Sequence, residues 1–204
     1  MSFGYSDPIN HALAFAAKYY VPRSRKGTAL SYLTQPSHNG LILARYGCDE
    51  HTIIAGILHP VITETRPDSQ HLLRHKVADK FGSVVITVLS DACEPRHDSR
   101  GQLRPWTVYK LEFLSQLARA SNRALEVCAA SEIHQCGSLL ADVRRLGGEY
   151  LPSICLATSE QLLWWYRSLI ETLEAKPEWK GRLMVNELRL LSADLARQLR
   201  DGDR

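Results

Sequence analysis

Apolar residues recur along most of the chain at steps of three and four, the period of helices that bury one face. The densest case runs from Asp49 to Thr65, DEHTIIAGILHPVITET, where Ile53, Ile54, Ile57, Leu58, Val61 and Ile62 form one broad stripe. Asp49 is placed to cap its start. Pro60 has no amide hydrogen and its ring crowds the carbonyl four residues back, that of Gly56, so the regular helix is expected to stop or kink close to His59.

The same reading predicts a first helix from Asp7 to about Tyr20, capped by Asp7 with Pro8 in its first turn, and a basic loop over Pro22 to Thr28. A second helix opens at Pro36 and stops at Gly47. After the Asp49 helix, Asp68 or Ser69 caps a helix closed by Gly82, and Ser83 to Cys93 continues as another. That last run is rich in β-branched residues, but a single strand would have no partner, so it reads as helix. Glu94 to Pro105, EPRHDSRGQLRP, reads as a mobile loop. Helices are then expected over Trp106 to Ala120, Ser121 to Leu146, Ser159 to Ala175 and Glu178 to Leu199. The class is all-α.

Composition narrows this only a little. A chain of 204 residues with 45% hydrophobic content can bury one core, which predicts a single domain over residues 1–204. The net charge of +3 is mild and the basic residues are dispersed, so no recognition helix for DNA stands out and nucleic acid is not an expected partner. Cys48, Cys93, Cys128, Cys136 and Cys155 are odd in number and form no CxxC pair, a pattern that fits reduced thiols in a cytoplasm. No apolar run approaches the roughly 20 residues that span a bilayer, so no membrane partner is expected.

Several short motifs in fixed order carry more information. RKGT at Arg25 to Thr28, LSYLTQP ending at Pro36, ILHPVITET at Ile57 to Thr65, AASEIHQ at Ala129 to Gln135, DVRRLG at Asp142 to Gly147 and the LWWYR run into the Ser159 helix resemble the HD-domain phosphohydrolases of the RelA/SpoT type. That family carries RKGTxxPYxxHP, LLHDxVEDT and ADKLHN at corresponding places, and hydrolyses the 3′-pyrophosphate of guanosine tetraphosphate with a bound Mn²⁺. The resemblance implies a single HD-domain helical bundle organised around the Asp49 and Ser121 helices.

The resemblance also implies a damaged metal site. The four positions that hold the ion in the family read Gln35, His59, Pro60 and Ser131 here, so one ligand of four remains. Proline offers no donor atom, and a glutamine amide and a serine hydroxyl supply no anion to offset a divalent charge. The glutamate and aspartate of VEDT fall on Thr63 and Glu64, which leaves Glu64 as the one catalytic candidate. No cofactor is therefore expected, although the family uses Mn²⁺. A site rebuilt from His38, His59, Glu64 and Glu132 is the competing arrangement; otherwise His38 and Glu132 read as solvated residues, and His134 matches a non-ligand histidine of the family.

Around the lost metal, the nucleotide pocket of the family maps onto Arg25, Lys26, Thr28 and Tyr32. Arginine can stack on a base and fork onto phosphate, while lysine offers a point charge; a solvated basic loop is the competing reading. Glu132 replaces a lysine of the family and is expected to repel a polyphosphate. Trp164, Trp165 and Tyr166 sit in an amphipathic helix and are assigned to the core, and Trp106 is left as an anchor or a lid. The expected function is that of a pseudoenzyme that binds a purine nucleotide or phosphorylated small molecule, or a protein partner. The alternative is a metal-dependent phosphohydrolase of nucleotide-like substrates.

Overall fold

The computed structural model describes residues 4–20, 30–155 and 157–201. The RKGT segment, with Arg25, Lys26 and Thr28, lies outside the described residues. Among those described the chain is all helical: α1 (Asp7–Tyr20), α2 (Thr34–Arg45), α3 (Glu50–Glu64), α4 (Pro67–Ala92), α5 (Trp106–Leu117), α6 (Asn122–Leu146), α7 (Leu151–Ile154), α8 (Ser159–Glu174) and α9 (Leu183–Asp201). The run Ser83 to Cys93 is helix, as its surroundings require. It belongs to α4, which Gly82 breaks with a φ of 87° that side chains other than hydrogen rarely tolerate. α9 begins later than the apolar pattern suggests, because a 3₁₀ turn at Pro177–Trp179 and Gly181 at positive φ precede it. No helix among the described residues is long and apolar enough to cross a membrane.

Two helices form the centre, α3 and α6. Asp49 caps α3 by accepting from the Thr52 amide at 3.0 Å, and Arg123 at the start of α6 donates to the same carboxylate at 2.7 Å. Residues Thr52 to Ile62 of α3 are buried without interruption, against α1, α2, α4 and α6. α2 approaches α3 so closely that a Cβ on Gly56 would sit 2.2 Å from Leu43 Cδ1, and one on Gly40 would sit 2.9 Å from Ile57 Cγ1. That contact presses the start of α2, with Gln35, toward the end of α3.

Pro60 does not end α3, which runs on through Glu64. The carbonyl of Gly56, deprived of its helical donor by the proline, instead accepts from Asn39 Nδ2 of α2 at 3.2 Å. A neighbouring helix supplies the missing hydrogen bond, so the expected stop at His59 disappears.

The segment from Glu94 to Pro105 is a hydrogen-bonded hairpin and not the free loop its composition suggests. His97 and Leu103 pair as an antiparallel bridge, and the Arg104 amide donates to the Arg96 carbonyl at 2.8 Å. Asp98 Oδ1 accepts from the amides of Arg100 and Gln102, each at 2.9 Å, which closes the turn.

Candidate functional site

Gln35, His59, Pro60 and Ser131 come from three helices far apart in sequence, yet all four line one cavity of about 400 Å³. Tyr32, Glu64, Glu132 and His134 line it too, so most of the positions singled out from sequence converge. His59 is buried, and its Nε2 donates to the Ala92 carbonyl at 3.1 Å. Burial pulls the imidazole down to about 4, so the ring is neutral at neutral pH. Its Nδ1 has no hydrogen-bond partner among the described residues. Ser131 is buried and accepts from Gln135 Nε2 at 3.4 Å; Tyr32 lines the cavity while stacking on Tyr20 at 5.2 Å between ring centroids.

The opposite wall carries the charge. Lys110 of α5 donates to Glu94 Oε1 at 2.5 Å and lies 3.7 Å from Glu132 Oε1, while Arg96 Nε donates to Glu94 Oε2 at 2.6 Å. Trp165 Nε1 donates to Glu132 Oε2 at 2.9 Å, and the Lys110 ammonium sits 3.6 Å from the Trp165 ring centroid. The side chains of Lys110, Glu94 and Glu132 are only 8%, 5% and 5% exposed. Burial pushes the Glu94 carboxyl up, but Lys110 and Arg96 outweigh it and hold the group at about 2. Burial raises Glu132, with its more distant lysine opposing. Lys110, which burial alone would lower, is held above its ordinary value by Glu132 and Glu94.

This network corrects two expectations. Glu132 is not a solvated residue, and its charge is met by Lys110, so it does not present a bare anion to a ligand. His38 is not merely solvated either: its Nδ1 lies 2.9 Å from His134 Nδ1. Trp165 and Tyr166 are core, as assigned, and Tyr166 also lines the cavity. Trp106 anchors the hairpin side, edge-on to Trp164 at 6.0 Å.

Sequence reasoning missed Glu94, Arg96 and Lys110. A usable signal was present: Lys110, Phe113 and Leu117 fall at helical spacing on one buried face of α5, and a lysine on an apolar stripe requires a buried counter-charge. Glu132 stands in the same position on α6, between the buried Cys128 and Cys136.

The donor set does not fit the divalent ion of the resembling family. His59, with Nε2 donating to Ala92, has only Nδ1 to offer an ion, Gln35 and Ser131 are neutral, and Pro60 offers nothing. The two buried carboxylates within reach of the cavity are already bonded to Lys110, Arg96 and Trp165, which leaves Glu64, exposed at the end of α3, as the remaining acid among the described lining residues.

A model of the HD domain matches residues 12–135 of the chain. No curated protein matches by sequence. Among solved structures, the chain is similar to a metazoan ortholog of SpoT described as hydrolysing ppGpp and acting in starvation responses, at 19% identity and a TM-score of 0.68, covering 97% of this chain and 98% of that one. It is also similar to lmo0812 of Listeria monocytogenes EGD-e, at 16% identity and a TM-score of 0.65, covering 80% of this chain and 99% of the other.

Proposed function

The chain belongs to the HD-domain family and has the ppGpp hydrolase-like fold, and from that premise we propose that it works without the family's metal, as a binding or regulatory protein. The observation that carries this reading is that the cavity's two buried acids, Glu94 and Glu132, are held in ion pairs, while Glu64, which also lines it, is exposed at the end of α3. A metal-dependent hydrolase needs a carboxylate free to take an ion and another to handle a proton. Here Glu94 and Glu132 are held by Lys110, and Thr63 stands beside His59 with its hydroxyl on the His59 carbonyl at 2.9 Å. The pocket suits a phosphorylated purine-like molecule: Tyr32, Trp106 and Tyr109 line it as flat surfaces and Arg96 as a cation, and Arg25, Lys26 and Thr28, which lie outside the described residues, match the positions that contact nucleotide in the resembling family.

Calorimetry of the purified protein against purine nucleotides and their polyphosphates tests the binding reading. Binding is expected, and the Arg25→Ala, Lys26→Ala double variant is expected to lose at least about tenfold in affinity, since each charge-assisted contact contributes about 1.5 to 3 kcal/mol. The metal-independent part is tested separately. Stoichiometric Mn²⁺ in the purified protein, or turnover of phosphate esters that chelation abolishes, would overturn it. In the converse direction, Gln35→His, Pro60→Asp and Ser131→Asp together place two histidines and two carboxylates around one point, and this triple variant is expected to gain Mn²⁺ affinity that the parent lacks.

A further inference from the structure

At the edge of the cavity α2 and α6 are joined by two imidazoles. His38 Nδ1 and His134 Nδ1 lie 2.9 Å apart, with ring centroids 5.1 Å apart and planes inclined at 72°. One proton serves both nitrogens. Ser138 Oγ lies 3.5 Å from His134 Nε2, on the other side of that ring. His38 is exposed, and each histidine stands within a helix of three or more turns.

We propose that His38 and His134 form a binding site for a divalent transition ion that favours imidazole nitrogen, such as nickel(II) or copper(II). Both Nδ1 atoms coordinate, and the proton between them moves through solvent to the Nε2 of the ring that carried it, so each imidazole binds as a neutral ligand. The geometry supports this choice. Metal–imidazole bonds run to about 2.0–2.1 Å, and two ligands at right angles around such an ion are therefore about 2.9 Å apart. Square-planar and octahedral ions have such cis positions. Imidazole pairs suit these ions without a carboxylate, whereas a hard ion that prefers oxygen gains little from them.

Among the described residues no group of three or more His, Cys, Asp or Glu is arranged to hold an ion, so water completes the shell. Exposure of His38 lets the ion arrive hydrated and keep those waters. Preorganisation comes from the two helices, which pack against each other and hold the rings in register before the ion binds. Gln35 lies one helical turn before His38, and His134 and Ser138 line the cavity, so an ion here ties α2 to α6 along the cavity's rim. The site uses none of Gln35, His59, Pro60 or Ser131, and it stands or falls independently of the function proposed above.

A second histidine pair could mimic the signal: His71 and His75 are exposed on α4 with ring centroids 4.5 Å apart. The test therefore uses tag-free, full-length protein carrying His71→Ala and His75→Ala, titrated with nickel chloride in a calorimeter. One ion per chain is expected, and adding His38→Ala or His134→Ala is expected to lower the affinity at least tenfold, with helicity by circular dichroism unchanged. Absence of binding in the His71→Ala, His75→Ala protein, or unchanged affinity after His38→Ala, overturns the proposal. Should His134→Ala disturb folding, electron paramagnetic resonance of the copper(II) form decides: coupling to two nitrogens supports the site, and coupling to one or none overturns it.

Discussion

Along the α2–α3 wall of the cavity the buried polar groups are neutral and each makes one bond, Asn39 to the Gly56 carbonyl, His59 to the Ala92 carbonyl and Thr63 to the His59 carbonyl, while Asn39 Oδ1 and His59 Nδ1 stay unpaired among the described residues. Along the wall made by the hairpin, α5 and α6, Glu94, Arg96, Lys110 and Glu132 bring two anions and two cations together under Trp165. The first wall avoids the cost of burying charge by keeping its acid, Glu64, exposed at the end of α3; the second meets that cost by pairing. At Pro60 of α3 and Ser131 of α6, the positions to which the resemblance assigns ion-holding carboxylates, this chain has no anion; its buried anions, Glu94 and Glu132, are instead paired with Lys110 of α5.

The largest expected effect comes from breaking that pairing. Lys110→Met leaves Glu94 and Glu132 short of their shared cation, and truncating one partner of a buried ion pair costs about 3–5 kcal/mol. Urea unfolding measures it. Adding Glu132→Gln to Lys110→Met is expected to recover part of the loss, because Glu94 then keeps Arg96 as its cation and no carboxylate is left without one. If Lys110→Met alone loses less than about 1 kcal/mol, the two walls do not differ in the way described.

Acid separates the two walls by pH window. His59 titrates at about 4 in the fold against 6.5 unfolded, so between those values the unfolded chain binds more protons and stability is lost as pH falls. The full span corresponds to about 3 kcal/mol. Glu94, at about 2 against 4.5, contributes stability that is present above 4.5 and is lost lower down, as pH falls toward 2. Glu132, raised by burial, works in the opposite sense above 4.5, so it offsets part of the His59 stage and leaves the Glu94 stage alone. Stability measured from pH 7 to pH 3 is expected to decline in two stages, with His59→Gln flattening the upper one and Glu94→Gln the lower. A profile in which His59→Gln leaves the slope between pH 6.5 and 4 unchanged would remove His59 from the neutral, desolvated role assigned to it.

What the sequence made legible was periodic or ordered. The stripes of α1, α3, α6 and α8 were visible because burial on one face imposes the helical period, and Asp49, Ser121 and Gly147 stand where caps and stops were expected. The convergence of Gln35, His59, Pro60 and Ser131 followed from motif order. The rest depended on contacts between segments distant in the chain. Glu94 and Arg96 looked like loop residues because nothing local reveals that Lys110 waits sixteen residues on to pair with Glu94. The hairpin looked mobile because its cross-links are backbone bonds, to which composition is blind. Pro60 looked like a terminator because its rescue comes from another helix.

That rescue gives the smallest and most specific prediction. Pro60 removes the donor that Gly56 would have had within α3, and Asn39 of α2 replaces it, so the two residues form one device although they share no contact in sequence. Asn39→Ala leaves the Gly56 carbonyl buried and unpaired, at a cost of about 1–3 kcal/mol. Pro60→Ala restores an amide that can bond the same carbonyl through the helix, and the Asn39 bond then becomes dispensable. The cost of Asn39→Ala is therefore expected to shrink by about 1 kcal/mol in the Pro60→Ala background. A double-mutant cycle by urea unfolding reads this directly, because the packing lost with the Asn39 side chain is the same in both backgrounds and cancels. Additivity within about 0.5 kcal/mol would mean that α3 passes through Pro60 by its own packing, and that the α2–α3 wall owes its continuity to the close approach at Gly40 and Gly56 instead.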